Sequence, residues 1–398
     1  MTFANKSSAL LLCACLLPAA NAANSKAAGT EHSSHKAFEP MGTTAVYEAI
    51  KRQLEANLFE LPPRVQGHYG IRMYRMTGDD KYANAALVDL FAVTESQAFY
   101  ACNLDKPGFI TSAAEEAIEA LGRGPRASAR KKALEDFPEF LFYTDVLLRF
   151  ASRIDEFGLE GPCHDRMIAA LKATDLKRGL TSPEMIESWA AQLANYVYWA
   201  KQLGVGDYLK DYREAFNKVY PAARDQRLDK AQFRNKLYGM THFVFAASGY
   251  YQTPVDASEF AWVLDYFEAN IDRILKDATD DIIAEVGVSF LLAGKGDSEA
   301  VTKTRRHIVK AFDEEHDIIP SPRGNPDLAL GEHRNMLAMM LLQWPETLSP
   351  GPYLAELKAT KKYLPKMVAP KTASSPKTKN QEKPPKQEKP PKQEKPNK

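Results

Sequence analysis

Cysteine is scarce in this 398-residue chain: there are four, and two of them, Cys13 and Cys15, lie within the first 22 residues. The remaining two, Cys102 and Cys163, are too few for a small disulfide scaffold, and no C-x-x-C pair offers a zinc or redox site. Long apolar runs are also missing. The best, Ala9 to Ala20, falls short of the ~20 residues that a bilayer-spanning helix needs. Strand-like alternation is rare. A charge excess is absent, with a formal net charge of +1. There is no G-x-S-x-G elbow, no H-E-x-x-H and no Walker loop, so these serine-hydrolase, zincin and nucleotide sites have no support.

The two ends do not read as fold. Lys6, the apolar stretch Ala9 to Ala20 and the small-residue site Ala20-Asn21-Ala22 have the order of a secretory signal over residues 1–22, with a mature start near Ala23. A lipoprotein reading at Leu12-Cys13-Ala14-Cys15 is the alternative, and it would leave a stunted apolar segment. The expected location is periplasmic or secreted. Export permits a Cys102–Cys163 disulfide, closing a loop of roughly 60 residues, while two separate buried thiols is the other outcome. Residues 23–40 are small and polar and read as a disordered linker. Residues 366–398 read as a disordered tail in which Gln381-Glu382-Lys383-Pro384-Pro385-Lys386 recurs. Proline at that density favours extended polyproline II. The tail is either a basic arm for anionic envelope polymer or a solvated spacer. It holds ten Lys against three Glu, so the body over residues 23–365 is acidic, near −7. An acidic body excludes the basic face of a nucleic-acid groove.

Between the ends, over residues 41–365, helical periodicity is nearly continuous, and the fold class is all-α. Helix hairpins are expected at Val65–Met76 with Tyr82–Ala101, at Phe140–Phe157 with a helix restarting near Pro162, and at Ser182–Gln202 with a partner ending at Tyr220. Three more are expected: Gln232–Tyr251 with Ala257–Leu275, Thr279–Ala293 with Ser298–Phe312, and Leu328–Gln343 with Tyr353–Leu364. Serial hairpins build an α/α toroid or an open α-solenoid. Apolar members carrying His or Glu, paired with amphipathic partners, fit the toroid better, because inner helices would bring polar groups to a common centre.

Three apolar helices carry polar residues that need partners once buried. In Tyr238–Tyr251, residues Tyr238, His242 and Phe245 share a face. Glu285, between Ile282, Ile283, Val286 and Val288, is the carboxyl most suited to a raised pKa and general acid work, with an ion pair to Arg334 as the plainer reading. Glu332-His333-Arg334-Asn335 opens the third helix. On an earlier helix His68 and Arg72 stand one turn apart. The candidate catalytic residues are therefore His242, Glu285 and His333. The candidate substrate-binding residues are His68, Arg72, Tyr250, Glu332, Arg334 and Asn335. A lone His on an apolar helix is more often a satisfied core residue, and Asn195, Tyr196, Tyr198 and Trp199 are more often core than an aromatic wall. The spacing of His242, Glu285 and His333 gives a metal site little support, and the sequence leaves any cofactor unknown.

The segments Leu237-Tyr238-Gly239-Met240-Thr241-His242, Ser248-Gly249-Tyr250-Tyr251-Gln252, Glu285-Val286-Gly287 and Glu332-His333-Arg334-Asn335 resemble domain of unknown function 3541. That domain occurs in exported proteins of marine and enteric gammaproteobacteria. The resemblance covers roughly residues 180–350, and Gly67-His68-Tyr69-Gly70 is similar to the preceding part of those proteins. It implies export and a helical body. It assigns no activity and no catalytic residue.

Two functions from different classes remain. One is a carbohydrate-active hydrolase or lyase using buried Glu and His, with a glycan or cell-envelope polymer as partner. The other is a non-catalytic binding or scaffold protein of the cell envelope, its polar cluster acting as structural glue. Whether the chain is an enzyme is open at this level.

Overall fold

The computed structural model describes residues 41–354 and 366–367. The first helices are α1 (Thr43–Asn57), α2 (Pro63–Thr77), α3 (Lys81–Ala101), α4 (Phe109–Glu119) and α5 (Pro125–Ala133). A π-helical segment, Phe142–Leu148, runs into α6 (Arg149–Asp155). Then come α7 (His164–Ala173), α8 (Leu176–Leu180), α9 (Pro183–Gln202) and α10 (Leu209–Val219). The remainder are α11 (Lys230–Ala247), α12 (Ala261–Ala269), α13 (Ile271–Asp277), α14 (Asp280–Leu292), α15 (Glu299–Ala311) and α16 (Leu328–Leu342). The fold is all-α apart from a two-residue antiparallel ladder, β1 (Leu159–Glu160) with β2 (Lys366–Met367), which crosses the expected boundary at residue 365.

Helix ends follow local chemistry. The Asp229 side chain accepts from the Gln232 amide, and the Gln232 side chain accepts in turn from the Asp229 amide, a capping box that starts α11. Ser182 caps α9 ahead of Pro183, and Asp327 caps α16. Gly78, at φ 69°, ends α2 in the left-handed conformation that glycine adopts without penalty.

Two expectations are corrected. The helix expected to reach Tyr251 stops at Ala247, because Gly249, Tyr250 and Tyr251 all take positive φ in a tight turn. The Ser248 hydroxyl holds that turn, donating to the Phe245 carbonyl (2.7 Å) and accepting from the Tyr251 amide (2.8 Å). The helix expected over Ala257–Leu275 starts later and is split into α12 and α13 at Asn270. Helices α1, α4 and α5 were not anticipated. The helix expected at Tyr353–Leu364 lies, beyond Leu354, outside the described residues, as do the signal, the linker and the tail apart from Lys366–Met367.

The packing order matters for the site. Helix α2 lies on α3, α3 on α6, α6 on α9, α9 on α11, α11 on α14 and α14 on α16, and α16 packs back on α2. Every residue of α14 from Asp281 to Leu292 is buried. Its outer neighbour α15 is amphipathic and buries only one face. Close approach uses glycine. A Cβ on Gly70 would sit 2.6 Å from the Tyr82 carbonyl of α3, and one on Gly287 would sit 2.5 Å from Leu341 of α16.

Arg75, on α2, ties distant parts together. It is 1 % exposed, and three of its nitrogens donate to separate segments. Nε donates to Gly351 O (3.0 Å), Nη1 to Tyr250 O (2.9 Å) and Nη2 to Glu156 Oε2 (2.9 Å). Replacing Arg75 with Met is expected to destabilise the fold by about 3–5 kcal/mol, because it strips a buried carboxylate of its counter-ion. Urea unfolding measures this.

Cys102, at the end of α3, is bonded to Cys163, at the start of α7, across a separation of 61 residues. Reduction, or the Cys102→Ser/Cys163→Ser double change, should lower stability by about 4 kcal/mol in the loop-entropy account. Thermal melts with and without reductant read the difference.

Candidate functional site

Four helices bring polar side chains to one place. Helix α2 supplies His68 and Arg72, α16 supplies Glu332 and His333, α14 supplies Asp281 and Glu285, and α11 supplies Tyr238, Thr241 and His242. The turn after α11 adds Tyr250 and Tyr251.

At the centre two carboxyls are linked through two imidazoles. His68 Nδ1 lies 2.8 Å from Glu332 Oε1 and 2.7 Å from Oε2. His68 Nε2 faces His333 Nδ1 at 3.4 Å, and His333 Nε2 faces Glu285 Oε1 at 3.7 Å. The far oxygen of Glu285 accepts the Thr241 hydroxyl at 2.6 Å. One placement of protons fits the row: a protonated Glu332 donates to His68, His68 to His333, and His333 faces an ionised Glu285 at ion-pair distance, Glu285 Oε1 having no hydrogen-bond partner among the described residues. Shifting each proton one place reverses the polarity of the row. The arrangement is thus a row of titratable groups between two buried acids, and His333, with 38 % of its side chain exposed, is its outward-facing member.

Burial sets the titration of the row. Desolvation pushes Glu332 up to about 7, against the opposing pull of Arg72, His333 and Arg64. Glu285 is likewise raised by burial, with His333 and Thr241 acting in the other direction. His68 is held well below the ordinary histidine range by burial and then by the neighbouring cations, Arg72 foremost. His242 is driven down to about 3 by burial, with His333 and Arg72 adding to it. Near neutral pH His68 and His242 are therefore uncharged.

Around the row stands an aromatic and hydroxylic wall. His242 is stacked with Tyr238, with centroids 6.3 Å apart, and lies 6.4 Å from the Tyr250 ring. Tyr250 is stacked on Trp199 of α9 at 6.4 Å. The Tyr238 hydroxyl donates to Asp281, and the Tyr238 phenol is held well above its usual range by burial and by that carboxylate. Arg72 lies over the Tyr251 ring at 5.7 Å.

Of the sequence-derived candidates, His68, Glu332, His333 and Glu285 meet directly, and His242, Arg72 and Tyr250 border them. Arg334 and Asn335 do not join this group. They turn to a loop, where Arg334 Nη1 donates to Ile319 O (3.1 Å) and Asn335 Oδ1 accepts from Ile319 N (2.8 Å). Arg334 therefore does not pair with Glu285, whose partners are Thr241 and His333. Helical spacing alone linked neither Tyr238 to Asp281 nor Thr241 to Glu285. It had no signal for Tyr251, whose place depends on the turn. A buried acid on the π-helical segment was also missed: Asp145 accepts from the Tyr196 hydroxyl (2.9 Å) and faces Arg149 (3.4 Å). Among the described residues, no group of three or more His, Cys, Asp or Glu side chains is arranged to hold a metal ion.

Domain of unknown function DUF3541 matches residues 43–371. The chain belongs to this family. The match begins with α1 and so covers more of the chain than residues 180–350, the span first expected. No curated protein and no solved structure shows a significant match. Membership in DUF3541 brings no activity with it, so function has to be argued from the cluster itself.

Glu332 generates a pH prediction. Its folded pKa of about 7 lies above the ordinary carboxyl value of 4.5, so the stability it contributes is present at low pH and is lost as pH rises through about 7. The melting temperature of Glu332→Gln minus that of wild type should therefore increase between pH 5 and pH 8. A flat difference across that range would contradict the buried, protonated Glu332.

Proposed function

We propose that this DUF3541 protein is an exported enzyme that acts on a glycan by proton transfer, as a hydrolase or a lyase. The observation that carries this reading is the row Glu332–His68–His333–Glu285, two carboxyls of raised pKa joined by imidazoles and opening outward at His333. Either reaction needs the same pair of acts. The leaving oxygen must receive a proton as its bond to carbon breaks. A base must take a proton, from water in hydrolysis or from carbon in elimination. Glu332 would supply the first through His68 and His333. His242, neutral and beside the row, would serve as the base, and Glu285 would stabilise the charge that develops on His333. Tyr250, stacked on Trp199, would seat a sugar ring.

Export to the periplasm or medium is part of the proposal and is supported by the Cys102–Cys163 disulfide. The toroid reading belongs here too. Its support is the succession of helix contacts that leads from α2 through α9, α11, α14 and α16 back to α2, with the row on that inner side.

A second reading has its own observation. Glu285 is fully buried and bonded to Thr241, which suits structural glue in a binding or scaffold protein of the cell envelope.

The readings part on turnover. In the enzyme, Glu332→Gln and His333→Ala each lower glycan turnover by about 10²-fold or more while the protein stays folded. Wild-type activity falls as pH rises through about 7, when Glu332 loses its proton. Release of reducing ends scores hydrolysis, and ultraviolet absorbance of an unsaturated product scores elimination. In the scaffold, no glycan of a broad panel is cleaved, and Glu285→Gln merely lowers the melting temperature by several degrees.

A further inference from the structure

Arg72 and Arg75 lie one turn apart on α2, and their circumstances differ sharply. Arg75 is neutralised by Glu156 and spends its other donors on two carbonyls. Arg72 has no ion pair among the described residues. Its contacts are a long one from Nη1 to the His68 carbonyl (3.4 Å) and an approach to the Tyr251 phenol and ring. Its Nε is buried with no hydrogen-bond partner among the described residues. A guanidinium keeps its charge at any working pH, and Arg72 is part-buried, with its Nε shut off from solvent.

Glu332 is near enough for the Arg72 charge to act on its carboxyl, but neither Glu332 nor Glu285 is ion-paired with Arg72 among the described residues; their close contacts are the imidazoles and Thr241. A second group beside Arg72 is also unmatched: Nδ1 of His242 is buried and has no partner among the described residues. One side of the site therefore holds two buried nitrogens, Arg72 Nε and His242 Nδ1, that lack a hydrogen-bond partner among the described residues, near the Tyr250–Trp199 stack.

We propose that the ligand of this site carries a carboxylate docked on Arg72, so that the glycan is built from uronic acid residues. This deepens the acid–base reading and rests on it for the kind of ligand. A carboxylate is planar and meets Nε and one Nη of a guanidinium in a two-pronged bond, which would give the buried Nε of Arg72 the partner it lacks among the described residues. The sugar ring bearing it would lie against Tyr250, with a ring hydroxyl or water reaching His242 Nδ1.

Calorimetric titration tests this in a Glu332→Gln background, where ligand survives the measurement. The probes are saturated trimers of glucuronate, galacturonate and mannuronate, their methyl esters, a neutral trimer, and that neutral trimer bearing sulfate. At least one acid should bind about tenfold or more tighter than its ester. Arg72→Gln should abolish that preference, and Arg72→Lys should restore part of it. Circular dichroism checks that each variant is folded. Equal affinity for acid and ester, preference for the sulfated trimer, no binding of any acid, or an undiminished preference in Arg72→Gln would each overturn the proposal. Acid-selective binding without turnover of any uronide by wild type would remove the catalytic reading and leave this one standing. Turnover of a neutral glycan without acid preference would do the reverse.

Discussion

Arg75 is the interaction on which the arrangement of the site depends. It sits inside α2, and a buried cation is tolerated only where its counter-charge and hydrogen bonds are supplied in full. Glu156 supplies the charge from the end of α6, and the carbonyls of Tyr250 and Gly351 complete the set. Those three acceptors belong to chain segments far apart in sequence, so one guanidinium fixes their mutual positions. The turn that holds Tyr250 has positive φ at two tyrosines, a conformation that side chains disfavour. The Arg75 bond to Tyr250 O and the Ser248 bond to Tyr251 N are what hold it there.

The same helix then carries His68 and Arg72 toward α16 and α11. What distinguishes this interior is that burial acts on several ionisable groups together. Carboxyls are pushed toward their protonated form and imidazoles toward their neutral one. Burial favours the uncharged form of each group in the row, because a full charge in a medium of low polarity is costly.

The fold class was plain in the sequence because apolar spacing and capping residues are local. Asp229 with Gln232, and Ser182 with Pro183, announce their helices within a few positions. The inner and outer sorting of α14 against α15 was visible for the same reason, since one is apolar all round and the other on one face. What local pattern hides is which polar residues meet. His68 and Glu332 lie 264 positions apart, and nothing near either one names the other. Arg334 and Asn335 shared a tetrapeptide with Glu332 and His333, yet the helical rotation of about 100° per residue sends them to the Ile319 loop instead. The end of α11 was overrun because Tyr250 and Tyr251 look apolar and helical, while a neighbouring serine and a distant arginine override that tendency.

The long separation of His68 and Glu332 has a consequence for how the molecule comes into being. Helix α2 is made early and α16 late, so closing this contact spans 264 of the 398 residues and costs the entropy of a long loop. Contacts of such span form late in folding, after local hairpins have already set. The row is thus absent from any nascent or truncated chain that lacks α16, and its assembly coincides with the docking of α16 on α2.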